Sequence, residues 1–308
     1  MIINTGNRTD IPAYFSKWFF NRIREGYVYV RNPYYKNQVT KYKLAPDVVD
    51  CIAFCTKNPA PMLPRMQELA SFGQFWFVTI TPYGKEIEPQ VPPMEKVLED
   101  FKKLSSFIGA EKIGLRYDPI FISDKYTLNN HIESFERMAA TLSGYTHDCI
   151  ISFIDLYEKT KRNFPGIKKV TKEERSIIGR EFVRIGKKYN IQIKTCVEGQ
   201  ELLNYGIDCS GCLTKPVIER AIGNTLKIPK KKFSREGCNC LLENDIGVYN
   251  TCGHGCIYCY ANYDMKTVRD NLKKHNPNSP FLIGGNLADD IVKDAKQESY
   301  IDGQITLF

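Results

Sequence analysis

No apolar run of about eighteen residues occurs in the sequence, which leaves no hydrophobic helix of membrane-spanning length. The first residues, MIINTGNRTDIP, lack the basic, apolar and small-residue succession of a secretory signal, so a cytoplasmic location and no membrane partner are expected. No low-complexity linker divides the chain and no internal repeat is visible. A length of 308 residues then allows one large α/β barrel or two ordinary domains. A large charge excess is also missing: the formal net charge of +8 is below what a dedicated nucleic-acid binder shows. The densest basic run, Lys227, Lys230, Lys231, Lys232 and Arg235, reads either as a solvated loop or as a phosphate-contacting patch.

Cysteine is what the chain has in quantity. Eleven thiols in a protein of the reducing cytosol point to metal rather than to disulfides, with oxygen sensitivity as the consequence. Cys252, Cys256 and Cys259 follow one another as C-x3-C-x2-C, with Gly253 and Gly255 on either side of His254. That spacing suits a tight loop whose sulfurs converge on one small inorganic centre. Zinc would want a fourth ligand, and a zinc knuckle is the plain structural alternative. A [4Fe-4S] cubane would take three thiolates and leave one iron open to an outside molecule. His254 reads as a loop residue rather than a ligand.

The remaining cysteines divide. Cys51, Cys55 and Cys149 fall in apolar strand patterns and read as small buried hydrophobes. Cys196, Cys209, Cys212, Cys238 and Cys240 sit at strand ends and Gly-rich turns. Four of them, Cys196, Cys212, Cys238 and Cys240, are expected to form an auxiliary site: a second iron-sulfur cluster, a structural zinc, or a set of redox thiols. Cys238 and Cys240 directly precede a strand expected at 245–250. They reach Cys196 only if the connection 214–244 climbs to the far end of that strand.

Apolar patterns place strands at 2–6, 51–55, 75–80, 112–116, 149–154 and 191–195, and weaker ones at 209–214 and 245–250. A hairpin at 27–31 and 38–44 reads as an excursion from the main sheet. Helices are expected at 13–24 and 63–72, then one with Val97, Leu98, Phe101, Leu104 and Ile108 on its apolar face, and one with Ile132, Phe135, Met138 and Leu142. A further helix opens on the capping box of Thr171 and Glu174 and carries Ile178, Phe182, Ile185 and Tyr189. This alternation predicts parallel βα units, eight of which would close a (β/α)8 TIM-like barrel over 1–280, followed by a C-terminal tail, 281–308. A doubly wound open sheet is the competing architecture.

In a parallel barrel the active site forms at the C-terminal strand ends. These ends hold Asn7, Arg8 and Asp10; Lys57 and Asn58; Thr81 and Tyr83; Arg116 and Asp118; Asp155; and Cys196 and Glu198. Arg116 with Asp118 is the preferred catalytic pair, a guanidinium able to grip a carboxylate or phosphate beside an acid that orients it. A rim ion pair is the plain alternative. Glu198 is taken as a third catalytic candidate.

The cysteine loop, with Tyr258 before its last cysteine and Tyr260 after it, resembles the signature of radical S-adenosylmethionine (SAM) enzymes. Segments 8–12, 26–33, 56–59, 79–84, 116–119, 152–155, 195–198 and 245–262 resemble, more narrowly, radical-SAM-like proteins of unknown function whose cysteine loop lies near the C-terminus. The resemblance implies that Cys252, Cys256 and Cys259 hold a [4Fe-4S] cluster whose open iron binds SAM. The reduced cluster would cleave SAM to a 5'-deoxyadenosyl radical that takes hydrogen from a substrate. It implies cofactor contacts from Tyr258, beside the adenine, and from Gly6, Asn7 and Arg8, near the SAM amino acid. No Gly-Gly-Glu sequence occurs near residue 6. An electron donor such as flavodoxin or ferredoxin is the implied partner. In those enzymes the loop follows the first barrel strand, so a circular permutation is implied, with 245–250 and a helix near 262–274 as the first unit. Similarity in broad type to spore photoproduct lyase, a radical SAM enzyme of DNA repair, makes nucleic acid or a nucleotide a candidate substrate. The last five residues, Gln304 to Phe308, look like the peptide by which bacterial repair and replication proteins dock on the sliding clamp; a tail packed on its own barrel is the alternative. The competing function is an iron-sulfur or zinc protein for electron transfer or structure that never cleaves SAM.

Overall fold

The structure, a computed structural model, describes residues 1–229, 239–242 and 244–302. Lys230, Lys231, Lys232, Arg235, Cys238 and Gln304 to Phe308 lie outside the described residues. In chain order the elements are β1 (Ile2–Asn4), α1 (Ile11–Tyr14), α2 (Ser16–Glu25), β2 (Tyr27–Arg31), β3 (Gln38–Lys43), β4 (Cys51–Thr56), β5 (Gln74–Thr79), α3 (Met94–Ile108), β6 (Ile113–Ile120), α4 (Leu128–Leu142), β7 (Asp148–Phe153), α5 (Glu158–Asn163), α6 (Lys172–Tyr189), β8 (Gln192–Thr195), α7 (Lys215–Ile222), α8 (Met265–Leu272) and β9 (Ile291–Asp294). No described helix is long and apolar enough to cross a membrane.

Short runs such as Cys-Ile-Ala-Phe-Cys-Thr and Gln-Phe-Trp-Phe-Val-Thr are apolar at nearly every position, the pattern of strands buried on both faces. They form a six-stranded parallel sheet in the order β1-β4-β5-β6-β7-β8. The order follows the chain and never reverses. A doubly wound sheet reverses at a switch point, so that alternative is excluded. One face, with Ile3, Ile52, Phe54, Trp76, Val78, Leu115 and Ile151, packs in the main core with the helices. There Phe54 stacks on Trp76 at 4.0 Å, and Phe135 of α4 stacks on Phe182 of α6 at 4.0 Å. The other face, with Ile2, Cys51, Ala53, Phe75, Phe77 and Ile150, is covered by Leu213 and by Val217, Ile218 and Ala221 of α7.

Both sheet edges continue as single parallel bridges, Asn4 with Asp245 and Lys194 with Asp208. The strands expected at 245–250 and 209–214 are therefore reduced to bridges, because side chains there compete with the ladder. The Asp245 carboxylate takes the Gly247 and Asn7 N–H groups, each at 2.7 Å, and the Asp208 carboxylate takes the Ser210 N–H at 2.8 Å. Beyond the edges, the Leu241 N–H donates to the Leu213 carbonyl at 2.9 Å. Among the described residues no ladder closes the barrel.

Three other expectations change. The helix at 13–24 is two helices, split at Phe15, whose backbone leaves the helical region (φ −131°, ψ 23°). The helix at 63–72 is a 3-10 helix, Leu63–Leu69, in a stretch where Pro59, Pro61 and Pro64 remove N–H donors. The hairpin β2-β3 gains a third strand, β9, parallel to β3, from the stretch read as a tail.

Candidate functional site

The cysteine loop lies across the C-terminal ends of the parallel strands, and the segments after β1, β5 and β7 each contribute a bond. From the segment after β1, the Asp10 carboxylate accepts from His254 Nε2 at 2.8 Å, and the Tyr14 hydroxyl meets His254 Nδ1 at 3.2 Å. Both imidazole nitrogens are engaged, so His254 anchors the loop and offers no lone pair to a metal. The same Asp10 carboxylate caps α1 through the Ala13 N–H (3.0 Å) and takes the Lys57 N–H after β4 (2.8 Å). After β5, Ile87 O accepts from the Ile257 N–H, and the Gln90 N–H donates to His254 O. After β7, Lys159 Nζ reaches Tyr260 O at 3.2 Å. Glycine is required at 253, where a Cβ would stand 2.6 Å from the Tyr14 ring, and Gly255 takes the left-handed backbone (φ 70°) that closes the turn.

Burial raises all three loop thiols, that of Cys256 to about 12. Thiols raised in this way ionise only against a cation, and a metal supplies one. Their sulfurs are not drawn together as tightly as a single ion requires. Among the described residues, the donor group whose atoms all lie within 4.8 Å is instead Cys196, Cys212 and Cys240. A cubane binds each thiolate through a different iron and so takes a wider set. The loop therefore offers the three thiolates that a cubane takes through three of its irons. Two buried polar atoms at the same rim, Thr9 Oγ1 and Asn262 Oδ1, have no hydrogen-bond partner among the described residues, as a site for a polar ligand would leave them.

Around the loop stand the expected cofactor contacts. Gly6 packs on Cys55, where a Cβ at residue 6 would fall 2.2 Å from Cys55 Cβ and 2.7 Å from its carbonyl. Gly6→Ala should destabilise the chain by about 3 kcal/mol, read as a lowered denaturant midpoint at unchanged slope. The Asn7 carbonyl accepts from the Tyr260 hydroxyl at 2.7 Å, and Arg8 spans the Asp245 carbonyl (3.4 Å) and the Tyr249 ring (5.7 Å). The Tyr258 hydroxyl donates to Glu88, a buried carboxylate that also binds Lys57 Nζ (2.9 Å) and Thr81 Oγ1 (2.8 Å). Burial alone would lower Lys57; Glu88 first, then Cys256, hold it above the usual ammonium range. Glu88 was not singled out in the sequence. Its signal was faint: an acid between Ile87 and Pro89, in a loop too apolar to be a solvated turn.

The catalytic candidates line the next strand ends. Arg116 donates to Asp118 at 2.9 Å, and Ser152 bonds the other Asp118 oxygen. Burial would lower Arg116, but Asp118, then Cys212, Cys196 and Cys55, raise it well above its ordinary value. Glu198 accepts from the Phe153 N–H and from Arg175, each at 2.8 Å. Its neighbour Val197 is a β-branched residue at φ 58°, a strained backbone that holds Cys196 and Glu198 on either side. Burial raises the Glu198 carboxyl to about 7, against the lowering by the Phe153 N–H and Arg175. Its folded pKa therefore exceeds its ordinary 4.5, so its contribution to stability is complete below pH 4.5 and lost as pH rises through about 7. Carboxyl 13C shifts of labelled glutamate should show one group titrating near pH 7 that Glu198→Gln removes; a spectrum with every glutamate below pH 5.5 or so would contradict this.

The inner cysteines divide by environment. Cys196, Cys212 and Cys240 converge, with Cys212 Sγ and Cys240 Sγ 3.1 Å apart. Cys209 turns away and bonds the Ile207 carbonyl at 3.8 Å. Cys51 and Cys149 are fully buried in strands, whereas Cys55 lies on the inner face beside the converging group. No disulfide is formed among the described residues.

These features define an α/β protein with a three-cysteine loop across its parallel strand ends and a second cysteine group inside. A family model described as a domain of unknown function (DUF1848) matches residues 2–261, and the chain belongs to that family. The match runs from β1 through the whole cysteine loop. No curated protein matches the chain.

Proposed function

We propose that the chain is a radical SAM enzyme, with a [4Fe-4S] cluster held by Cys252, Cys256 and Cys259 over a permuted (β/α)8 barrel whose staves near 208 and 245 are irregular. The observation that carries this reading is the docking of the loop on the ends of β1, β5 and β7 through His254 and its own backbone. Bound there, the cluster supplies the electron for reductive cleavage of SAM and hence a hydrogen-abstracting 5'-deoxyadenosyl radical.

The chain's own residues prepare that chemistry. Asn7 and Arg8 stand beside the loop, where a guanidinium suits the SAM carboxylate. The Tyr258 hydroxyl is taken by Glu88, which leaves its ring as the surface for the adenine. Arg116, with Asp118 orienting it, grips an anionic group of the substrate, and Glu198 exchanges a proton near neutral pH. Tyr157, Tyr249, Tyr260 and Tyr263 are exposed around the site, and Arg162 stacks over Tyr263 at 4.4 Å. An aromatic and basic rim suits a planar, anionic substrate such as a nucleotide or nucleic acid. A cytoplasmic flavodoxin or ferredoxin would deliver the electron. Anaerobic protein with SAM and dithionite should release 5'-deoxyadenosine without added substrate. Protein of full iron content that binds SAM no better than buffer would instead mark an iron-sulfur protein for electron transfer or structure.

A further inference from the structure

We infer that Cys196, Cys212 and Cys240 bind a single thiolate-preferring divalent ion, zinc, with a water molecule as its fourth ligand, which staples the seam between the two edges of the parallel sheet. The site shares no residue with the loop at 252–259. Its sulfurs all lie within 4.8 Å of one another, with 3.1 Å between Cys212 and Cys240. A tetrahedral ion with Zn–S bonds of about 2.3 Å sets its thiolates about 3.8 Å apart, within the 4.8 Å span of this set, so that Cys212 and Cys240 would part slightly as it binds. A second cubane would spread the three sulfurs wider.

The backbone is shaped to the sulfurs. The Cys212 N–H donates to Cys240 Sγ at 3.1 Å, the kind of bond that steadies a metal-bound thiolate. Gly211 sits at φ 122°, and a Cβ there would approach Cys240 Sγ to 3.2 Å. Three thiolates and one divalent ion carry a net negative charge, and the Arg116 guanidinium lies in the field of Cys212 and Cys196.

The location gives the ion its work. Cys196 follows the end of β8, Cys212 lies past the bridge at Asp208, and Cys240 precedes the bridge at Asp245. Among the described residues, the segments of Cys212 and Cys240 are joined by the backbone hydrogen bond from Leu241 to Leu213, where a closed barrel would have a ladder. A metal joining the three sulfurs does there what the missing ladder does elsewhere. It also holds Arg116 and Glu198 at fixed places on the adjoining strand ends.

Protein purified from zinc-supplemented cells should hold about one zinc per chain by mass spectrometry of its metals. The zinc should remain in C252A/C256A/C259A and fall at least about tenfold in C212A/C240A. If the double variant does not fold, cobalt answers on the unaltered sequence. Cobalt(II) added to chelator-stripped protein should give the intense visible bands of a tetrahedral thiolate site, and zinc should abolish them. A Cys212–Cys240 disulfide found in the intact mass, four irons persisting in C252A/C256A/C259A, or a cobalt spectrum without thiolate bands would each overturn the site. Zinc counts report on this site and iron counts on the loop, so the failure of one reading is visible apart from the other.

Discussion

Replacing Cys252, Cys256 and Cys259 together with alanine should remove about four irons, with their sulfide, from each anaerobically reconstituted chain. The size of the effect follows from the donor set. The loop offers three thiols and no other free ligand, since His254 is held by Asp10 and Tyr14 on its two nitrogens. Thiols raised as these are gain nothing from ionising without a metal, so once the sulfurs are gone no weaker donor set stands in for them. Secondary structure should change little, because the loop is held by His254 and by backbone bonds to Ile87 and Gln90 rather than by the sulfurs. Circular dichroism of the variant checks that point. Iron content equal to that of the unaltered chain would contradict the assignment of the loop.

Asp10→Ala should cost about 3–5 kcal/mol of stability and most of the iron-binding capacity. Asp10 is buried, and its two oxygens accept from Ala13 N–H, Lys57 N–H and His254 Nε2. Truncation leaves one buried donor, on His254, and two half-buried ones, on Ala13 and Lys57, without their acceptor and with their desolvation cost uncompensated. It also unties the segments after β1 and β4 from the cysteine loop at one point. Urea unfolding reads the first effect and iron counting after reconstitution the second. Loss of stability with full iron uptake would show that Asp10 supports the fold alone. Asp10→Asn keeps one acceptor oxygen and should recover part of both.

What was legible in the sequence was what depends on neighbours. α3, α4 and α6 followed from apolar residues at helical spacing, and the Thr171–Glu174 capping box opens α6 as read. The six main strands followed from short apolar runs. The seam did not, because at 208 and 245 an aspartate carboxylate captures nearby N–H groups that a ladder would use, and propensity carries no sign of that capture. The Glu88 cluster was hidden for another reason. Its partners lie 31 residues before it at Lys57 and 170 after it at Tyr258, and a buried charge is recognisable only beside its counterion. Cysteine grouping was half visible: turn glycines marked Cys212 and Cys240, whereas Cys55 reads as an ordinary strand residue until the sheet places it on the inner face.

The central claim is that the loop holds a cluster with one iron open to SAM. The most direct test is the electron paramagnetic resonance spectrum of the dithionite-reduced protein before and after SAM is added. The account predicts a reduced-cluster signal whose g-values move on addition of SAM, and the loss of both signal and shift in C252A/C256A/C259A. An unmoved spectrum from protein with about four irons per chain, or a single zinc on the three loop sulfurs, would contradict it.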